Sequence, residues 1–152
     1  MQTLETDRLF LRDWEEADIP NAHALWGNNA GETVAYLMTV KNNYAVVLKE
    51  ENRVIGTIGL NEDADGNPHA RNVGIHLLEA YWNQGLMSEA LAAVIAAAHE
   101  ITPYLSYIHL KEDNRSRHIA QKFGFVYIKD FVGVQRTPQD PPQDFQYYVL
   151  KT

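Results

Sequence analysis

The segment YWNQGLMSEAL (81–91) places one glycine between polar residues and an alanine-rich apolar run, and its first carboxylate is Glu89. If the run is a helix, its first four N–H groups lack intrahelical partners, and the aligned peptide dipoles leave about half a positive charge at that end. Such an end attracts anions. Gly85 has no Cβ, so a phosphate can approach the backbone closely; the N–H groups of Gln84 through Ser88 can converge on it, and the Ser88 hydroxyl adds a further donor. With the helix starting at about residue 85, no Asp or Glu falls in the first turn to repel the anion. Spacing alone also fits a plain permissive turn before a helix.

Other chemistries find no support in the residue spacing. The six histidines, at 23, 69, 76, 99, 109 and 118, show no HExxH or paired-ligand spacing, so no catalytic metal is expected. No GxSxG elbow or GxxxxGK[ST] loop occurs, which argues against hydrolase and P-loop chemistry. With no cysteine there is no thiol nucleophile, thiolate zinc site or disulfide framework, and a cytoplasmic setting is the expectation.

The elements around this segment follow from periodicity. RLFLR (8–12) alternates like a half-buried strand, and Asp13 with Glu16 resembles a capping pair for a helix at about 15–26. ETVAYLM (32–38) reads as a second short helix; YAVVLKE and RVIGTIGL, joined by Glu51 and Asn52, read as an antiparallel hairpin. NEDADGNPHA (61–70) is dense in turn formers, and NVGIHLL (72–78) is the next strand. The long helix (85–99) is apolar nearly all round and belongs against a sheet under cover. LSYIHLK (105–111), RSRHIAQKF (115–123), FVYIKDFV (125–132) and DFQYYVL (144–150) complete a strand, helix, strand, strand series, with TPQDPPQD (137–144) as either a rigid exposed connection or a lip of a cleft. Tyr147 and Tyr148 read as strand packing or as residues facing a substrate. The crossover through the long helix requires parallel strands and the hairpin antiparallel ones, so the sheet is mixed.

At 152 residues the chain is expected to form a single domain over 1–152. A formal charge of -7, from 20 acids against 13 Lys plus Arg, opposes phosphate-backbone binding, so no nucleic-acid partner is expected. The charged start MQTLETDRLFLRDW has no secretory apolar run and no later stretch reaches membrane-spanning length, so no membrane partner is expected either.

GIHLLEAYWNQGLMSEAL resembles the G-Y-x-L-x-P-x-Y-W-G-x-G-x-x-x-E-A segment of the GNAT superfamily of acyl-CoA N-acyltransferases, in the branch of the ribosomal-protein N-terminal acetyltransferases. Gly74, Leu77, Tyr81, Trp82, Gly85, Glu89 and Ala90 carry the match. TDRLFLRDWEEAD resembles the branch's T-x-R-L-x-L-R opening, NRSRHIAQKFGF its N-x-x-S-x-x-x-x-x-K-x-G-F block, and VIGTIGL its central strand, in the family's order along the chain. The chain departs from the superfamily's usual R/Q-x-x-G-x-G/A loop at Trp82, a tryptophan habitual in this branch, and at Met87, with Asn83 where glycine is common; the usual asparagine position falls on Asp113, with Asn114 one residue late.

The resemblance implies an α/β fold with a mixed, splayed central sheet of six to seven strands flanked by about four helices. It implies acetyl-CoA as cosubstrate, its pantetheine arm along Ile75, His76, Leu77 and Leu78 and its diphosphate on Asn83, Gln84, Gly85, Leu86, Met87 and Ser88. Asn114 and Arg117 are implied cofactor contacts, with a helix cap and a solvated arginine as the plainer readings. The implied reaction is direct attack of a primary amine, from a small molecule or a protein N-terminus, on the thioester, in a monomer or homodimer. A strand N–H would stabilise the oxyanion.

Ser116 matches a proposed acid of the branch, against its plainer reading as a cap; the family's usual tyrosine position is Ala120. Asn72 stands near the family's strand glutamate, and an amide cannot accept a proton. His76, which a packing role would also explain, and Glu32, near the acceptor region, are the base candidates, beside a water relay. At pH 7, deprotonating a lysine-type amine costs about 4.6 kcal/mol and an α-amine about 1.1 kcal/mol, so a site without a strong base leans toward α-amines. The competing reading is a non-catalytic acyl-CoA-binding sensor or regulatory module.

Overall fold

The structure, a computed structural model, describes residues 3–133, 139 and 141–152. Its strands are β1 (Leu4–Glu5), β2 (Leu9–Asp13), β3 (Asn43–Leu48), β4 (Arg53–Glu62), β5 (Ala70–Leu77), β6 (Tyr104–Leu110), β7 (Val126–Val132) and β8 (Asp144–Lys151). The helices are α1 (Ile19–Trp26), α2 (Ala30–Leu37), α3 (Leu86–Ala98) and α4 (Asn114–Lys122). The strands make one eight-stranded sheet in the order β1-β2-β3-β4-β5-β6-β8-β7. Strands β5 and β6 pair in parallel, whereas β1 with β2, β2 with β3, β3 with β4, β6 with β8 and β8 with β7 are antiparallel, so the sheet is mixed as expected.

The count of strands exceeds the expected six to seven. The addition is β1, a two-residue strand whose Leu4 and Glu5 pair with Leu11 and Phe10; two residues carry no readable periodicity. The first helix also differs from the sequence reading. A 3-10 turn at Glu16–Asp18 precedes α1, and its cap is not the Asp13–Glu16 pair: the Glu15 N–H donates to Asp18 Oδ2 at 2.9 Å, and Arg12 grips the same carboxylate at 2.8 and 2.9 Å. Pro20 lacks an N–H and fits only a first helical turn, which is where it stands in α1.

By its internal contacts the chain divides into two compact units, Met1–Asn61 with Gly74–Ala97, and Glu62–Val73 with Ala98–Thr152. In the first, every residue of β3 is buried, and Leu9 and Leu11 of β2 point inward on alternate positions. Trp14, Ala22 of α1, Ala30 and Val34 of α2, Ala45 and Val47 of β3 and Val54 of β4 form one apolar cluster, so both short helices cover the β3–β4 face. The rings of Trp14 and Trp26 lie 5.4 Å apart at its margin. Strands β4 and β5 approach closely at Gly56, where a Cβ would meet the His76 carbonyl oxygen and the Leu77 Cδ2, each at 2.4 Å.

In the second unit the parallel ladder sets Ala70, Arg71 and Asn72 opposite Tyr104, Leu105 and Ser106. Seven antiparallel pairs join β6 to β8, and a bulge interrupts β7 on β8 between Tyr127 and Lys129. Leu105, Tyr107, Ile119, Ala120, Phe125, Tyr147 and Tyr148 are among its buried side chains, with the Tyr107 and Phe125 rings 5.6 Å apart. Among the described residues no helix is long and apolar enough to cross a membrane.

The Gly56 contact is with backbone, which cannot rotate away. Gly56→Ala is therefore expected to cost about 1–3 kcal/mol, read as a lowered urea midpoint with an unchanged slope.

Candidate functional site

In the first unit, the segment between β5 and α3 is a tight, exposed turn. Asn83 and Gly85 take left-handed conformations, with φ of +62° and +77°, and Asn83, Gln84 and Gly85 are exposed while Leu86 is buried as the foot of α3. The left-handed Gly85 turns the chain so that α3 opens at Leu86, and the first helical bond runs from the Glu89 N–H to the Gly85 carbonyl. The N–H groups at the head of α3 thus belong to Leu86, Met87 and Ser88, three of the residues expected to receive a phosphate.

Because α3 opens at Leu86, Glu89 falls in its first turn, contrary to the expectation of a first turn without acid. Its charge is taken up locally. The Thr6 hydroxyl and the Arg8 N–H donate to Oε2, and Arg8 Nε donates to Oε1 at 2.8 Å. Burial pushes the Glu89 carboxyl up, but these bonds outweigh it and hold the group below its ordinary value. Arg8 Nη1 also donates to the Gln84 carbonyl at 2.8 Å, and Nη2 lies 3.4 Å from where a Cβ on Gly85 would stand. A cation therefore sits against the exposed glycine turn. The sequence reading matched the TDRLFLR segment without assigning Arg8; the available signal was Glu89, a carboxylate that needs neutralising at a helix head.

Along β5, Ile75 is half-buried, His76 exposed and Leu77 buried, so His76 is not packed into the core. Trp82 Nε1 donates to the Leu77 carbonyl at 2.9 Å, and the Leu78 N–H donates to Ile55 at 2.9 Å. These bonds fix the strand end. Glu32 is exposed in the first turn of α2.

In the second unit, Asp113 rather than Asn114 caps α4, accepting from the Ser116 N–H at 3.1 Å and the Ser116 hydroxyl at 2.8 Å. Burial raises the Asp113 carboxyl, yet the two Ser116 bonds, the charge of His109 and the Arg115 N–H bring it below its usual range. The Ser116 proton is thus directed to a carboxylate. Arg117 is partly buried and donates to Asn114 Oδ1 at 2.7 Å, Gln146 Oε1 at 3.2 Å and the Lys111 carbonyl. A cavity of about 490 Å³ opens beside this corner, between Leu110–Asp113 and Pro142–Asp144.

Both nitrogens of His109 are engaged, Nδ1 with the Leu110 carbonyl at 2.6 Å and Nε2 with the Tyr148 hydroxyl at 3.0 Å. Tyr147 and Tyr148 are both buried. Of TPQDPPQD, residues 137, 138 and 140 lie outside the described residues; 139 and 141–144 are exposed. Among the described residues no group of three His, Cys, Asp or Glu could hold a metal.

The chain belongs to the acetyltransferase (GNAT) domain family, whose model matches residues 8–126. It is an acetyltransferase that takes its acetyl group from acetyl-CoA. Its fold is that of a GNAT-family acetyltransferase from Bacillus anthracis, at 20% identity and a TM-score of 0.85 over 99% of this chain and 98% of that one. It is similar also to the Salmonella typhimurium acetyl transferase that modifies the N-terminal serine of 50S ribosomal subunit protein L7/L12, at 17% identity and a TM-score of 0.78 over 99% of each chain. A ribosomal L7/L12 α-N-protein acetyltransferase in complex with coenzyme A superposes with a TM-score of 0.77 at 15% identity, over 99% of this chain and 98% of that one. No curated protein matches the chain in sequence.

Glu89→Gln is expected to lower stability by about 1–2 kcal/mol at pH 7. Because the folded carboxyl titrates below the unfolded one, this contribution is complete above the unfolded pKa of about 4.3 and disappears as pH falls through the folded value. Denaturant titrations at pH 7 and in acid should therefore show the wild-type and variant curves converging in acid.

Proposed function

We propose that the chain is an N-acetyltransferase for α-amines, acting on peptide or protein N-termini or small weakly basic amines, with residues 1–152 working as one acetyltransferase domain. The match of the family model to residues 8–126, drawn from both compact units, supports the single domain. One observation carries the cofactor assignment: a left-handed, exposed Gly85 at the head of α3, with Glu89, the acid of that helix's first turn, neutralised by Arg8. Main-chain donors and a guanidinium then present net positive potential to a diphosphate.

Acetyl-CoA supplies the activated acetyl thioester. In this reading the N–H groups at Gly85–Ser88 hold the diphosphate, and the backbone of Ile75 and His76 orients the pantetheine arm and offers a donor to the developing oxyanion. Asn83, Gln84, Leu86 and Met87 shape that turn, whereas Leu77 and Leu78 hold the strand end through the bonds to Trp82 and Ile55. Asn114 and Arg117 contribute through the order they impose on the start of α4.

A thiol of pKa about 8.5 is a tolerable leaving group, so a strong acid is not required. Ser116 can protonate it only after releasing a charge-assisted bond to Asp113, a type of bond worth about 1.5–3 kcal/mol. Exposed His76 and Glu32 are free to approach an acceptor from solvent. The likeness to α-N-protein acetyltransferases supports the α-amine preference and a cytoplasmic setting for this chain.

Gly85→Asp places a carboxylate on a left-handed residue at the diphosphate seat. It should weaken coenzyme A binding at least tenfold by calorimetry, about 1.4 kcal/mol or more, and Arg8→Gln should weaken it by a smaller factor. Acetyl-CoA consumption should show a higher kcat/KM for peptide α-amines than for lysine side chains. Binding without turnover on any amine would instead identify a sensor.

A further inference from the structure

The turn that joins β1 to β2 is fastened on both sides, and all of its fastenings lie in the first compact unit. The Thr6 N–H donates to the Leu9 carbonyl at 2.9 Å, the Leu9 N–H to Thr6 Oγ1 at 3.0 Å, and the Lys49 N–H to the Arg8 carbonyl at 2.9 Å. Lys49 Nζ donates to the Thr6 carbonyl at 2.6 Å and to Glu5 Oε2 at 2.7 Å. On the other side the Thr6 hydroxyl and the Arg8 N–H converge on Glu89 Oε2. A turn bonded in this way holds its backbone in one place.

Arg8 is the side chain that this turn presents. Arginine donates from Nε, Nη1 and Nη2 in one rigid plane, so fixing two of these nitrogens fixes the third. Nε donates to Glu89 Oε1 at 2.8 Å, and Nη1 to the Gln84 carbonyl at 2.8 Å. Among the described residues Nη2 has no acceptor, and it lies 3.4 Å from the point where a Cβ on Gly85 would stand. The guanidinium is thus anchored at two corners and holds the third over the exposed glycine turn.

The glycine loop's own side chains point their donors elsewhere. Trp82 stands where the superfamily's usual loop carries Arg or Gln, and its indole N–H goes to the Leu77 carbonyl at 2.9 Å. The Gln84 amide donates back to the Ala80 carbonyl at 3.4 Å. Gly85 makes room for the guanidinium, since any side chain there would crowd Nη2 as well as strain a left-handed backbone. Glu89 then has two opposed effects. By charge, a carboxylate in the first turn of α3 repels a phosphate; by geometry, it aims the cation that attracts one.

We propose that the β1–β2 turn is a wall of the diphosphate site: Arg8 Nη2 donates to the diphosphate of coenzyme A across Gly85, and Glu89 and Thr6 are positioning residues that hold the guanidinium in that orientation. The proposal rests on the acetyl-CoA reading above, and adds to it a directed donor from outside the glycine loop and a favourable role for an acid. An arginine–phosphate contact is charge-assisted and directional. It therefore gains from a fork already in place, whereas ordering a loose arginine on binding offsets part of the attraction. Charge and orientation give Glu89 opposite signs, so the sign of its effect on affinity separates them.

The test is calorimetry of coenzyme A with the wild type, Arg8→Gln, Glu89→Gln and the double variant. Arg8→Gln should weaken binding about fivefold, and Glu89→Gln about two- to threefold. In the Arg8→Gln background, Glu89→Gln should instead tighten binding, because only its repulsion is left to remove. A structural role alone gives no such reversal: it would lower the urea midpoint of both single variants and leave the affinity of the folded protein as in the wild type, which overturns the proposal. Tighter binding by Glu89→Gln with Arg8 intact overturns it as well, since Glu89 would then act through charge alone. Should Glu89→Gln fail to fold, Thr6→Val takes its place; it removes one donor to Glu89 without changing charge, and should weaken binding about twofold with Arg8 present and leave it unchanged in the Arg8→Gln background. A wild type that binds no coenzyme A overturns the proposal together with the acetyl-CoA reading.

Discussion

A carboxylate in the first turn of α3 would oppose any phosphate brought to that helix head, and the structure depends on how that charge is disposed of. Glu89 is held by Thr6 and Arg8, residues of the turn between β1 and β2, and is kept ionised by those bonds. The same guanidinium reaches the Gln84 carbonyl and flanks Gly85. One arginine thus ties the N-terminal segment to the helix, cancels the wrong charge and leaves the right one beside the glycine turn. Beyond the stability these bonds contribute, the pair matters for the potential it leaves at the turn.

The second unit applies the opposite economy. Around α4, carboxylate and guanidinium are saturated: Asp113 takes both Ser116 donors, and Arg117 spans Asn114, Gln146 and Lys111. Groups so fully bonded are good at holding shape and slow to exchange protons. At the Asn72–Ser106 step of the ladder the bonding is incomplete, although the site is buried.

Much of the architecture was legible from the chain's own periodicity. Strands from Leu9 to Lys151 and the long helix fall within a few residues of their expected bounds, because alternation and turn formers act locally. The two-residue β1 escaped, since its pairing with β2 is defined only by the partner strand. The start of α1 was misplaced because the Asp18 carboxylate answers to Arg12 and the Glu15 N–H, bonds that helical spacing does not encode. Gly85 and the helix behind it were readable, being contiguous in sequence. The partners of Asn114 and Arg117 were not, because the cap of α4 falls to Asp113, and Gln146 and Lys111, both distant from Arg117 on the helix surface pattern, accept from the guanidinium.

By itself the sequence determined an α/β chain with a mixed sheet, a glycine turn opening a long apolar helix, and membership of an acyltransferase family, all carried by short-range pattern. Only the tertiary structure decided that Arg8 neutralises Glu89, that Ser106 meets Asn72 across a parallel ladder, and that the Tyr147 hydroxyl donates a hydrogen bond to Asp63, 84 residues away in sequence. Electrostatic and hydrogen-bonding partners are chosen by distance in space, and residues distant along the chain become neighbours only once the sheet has closed.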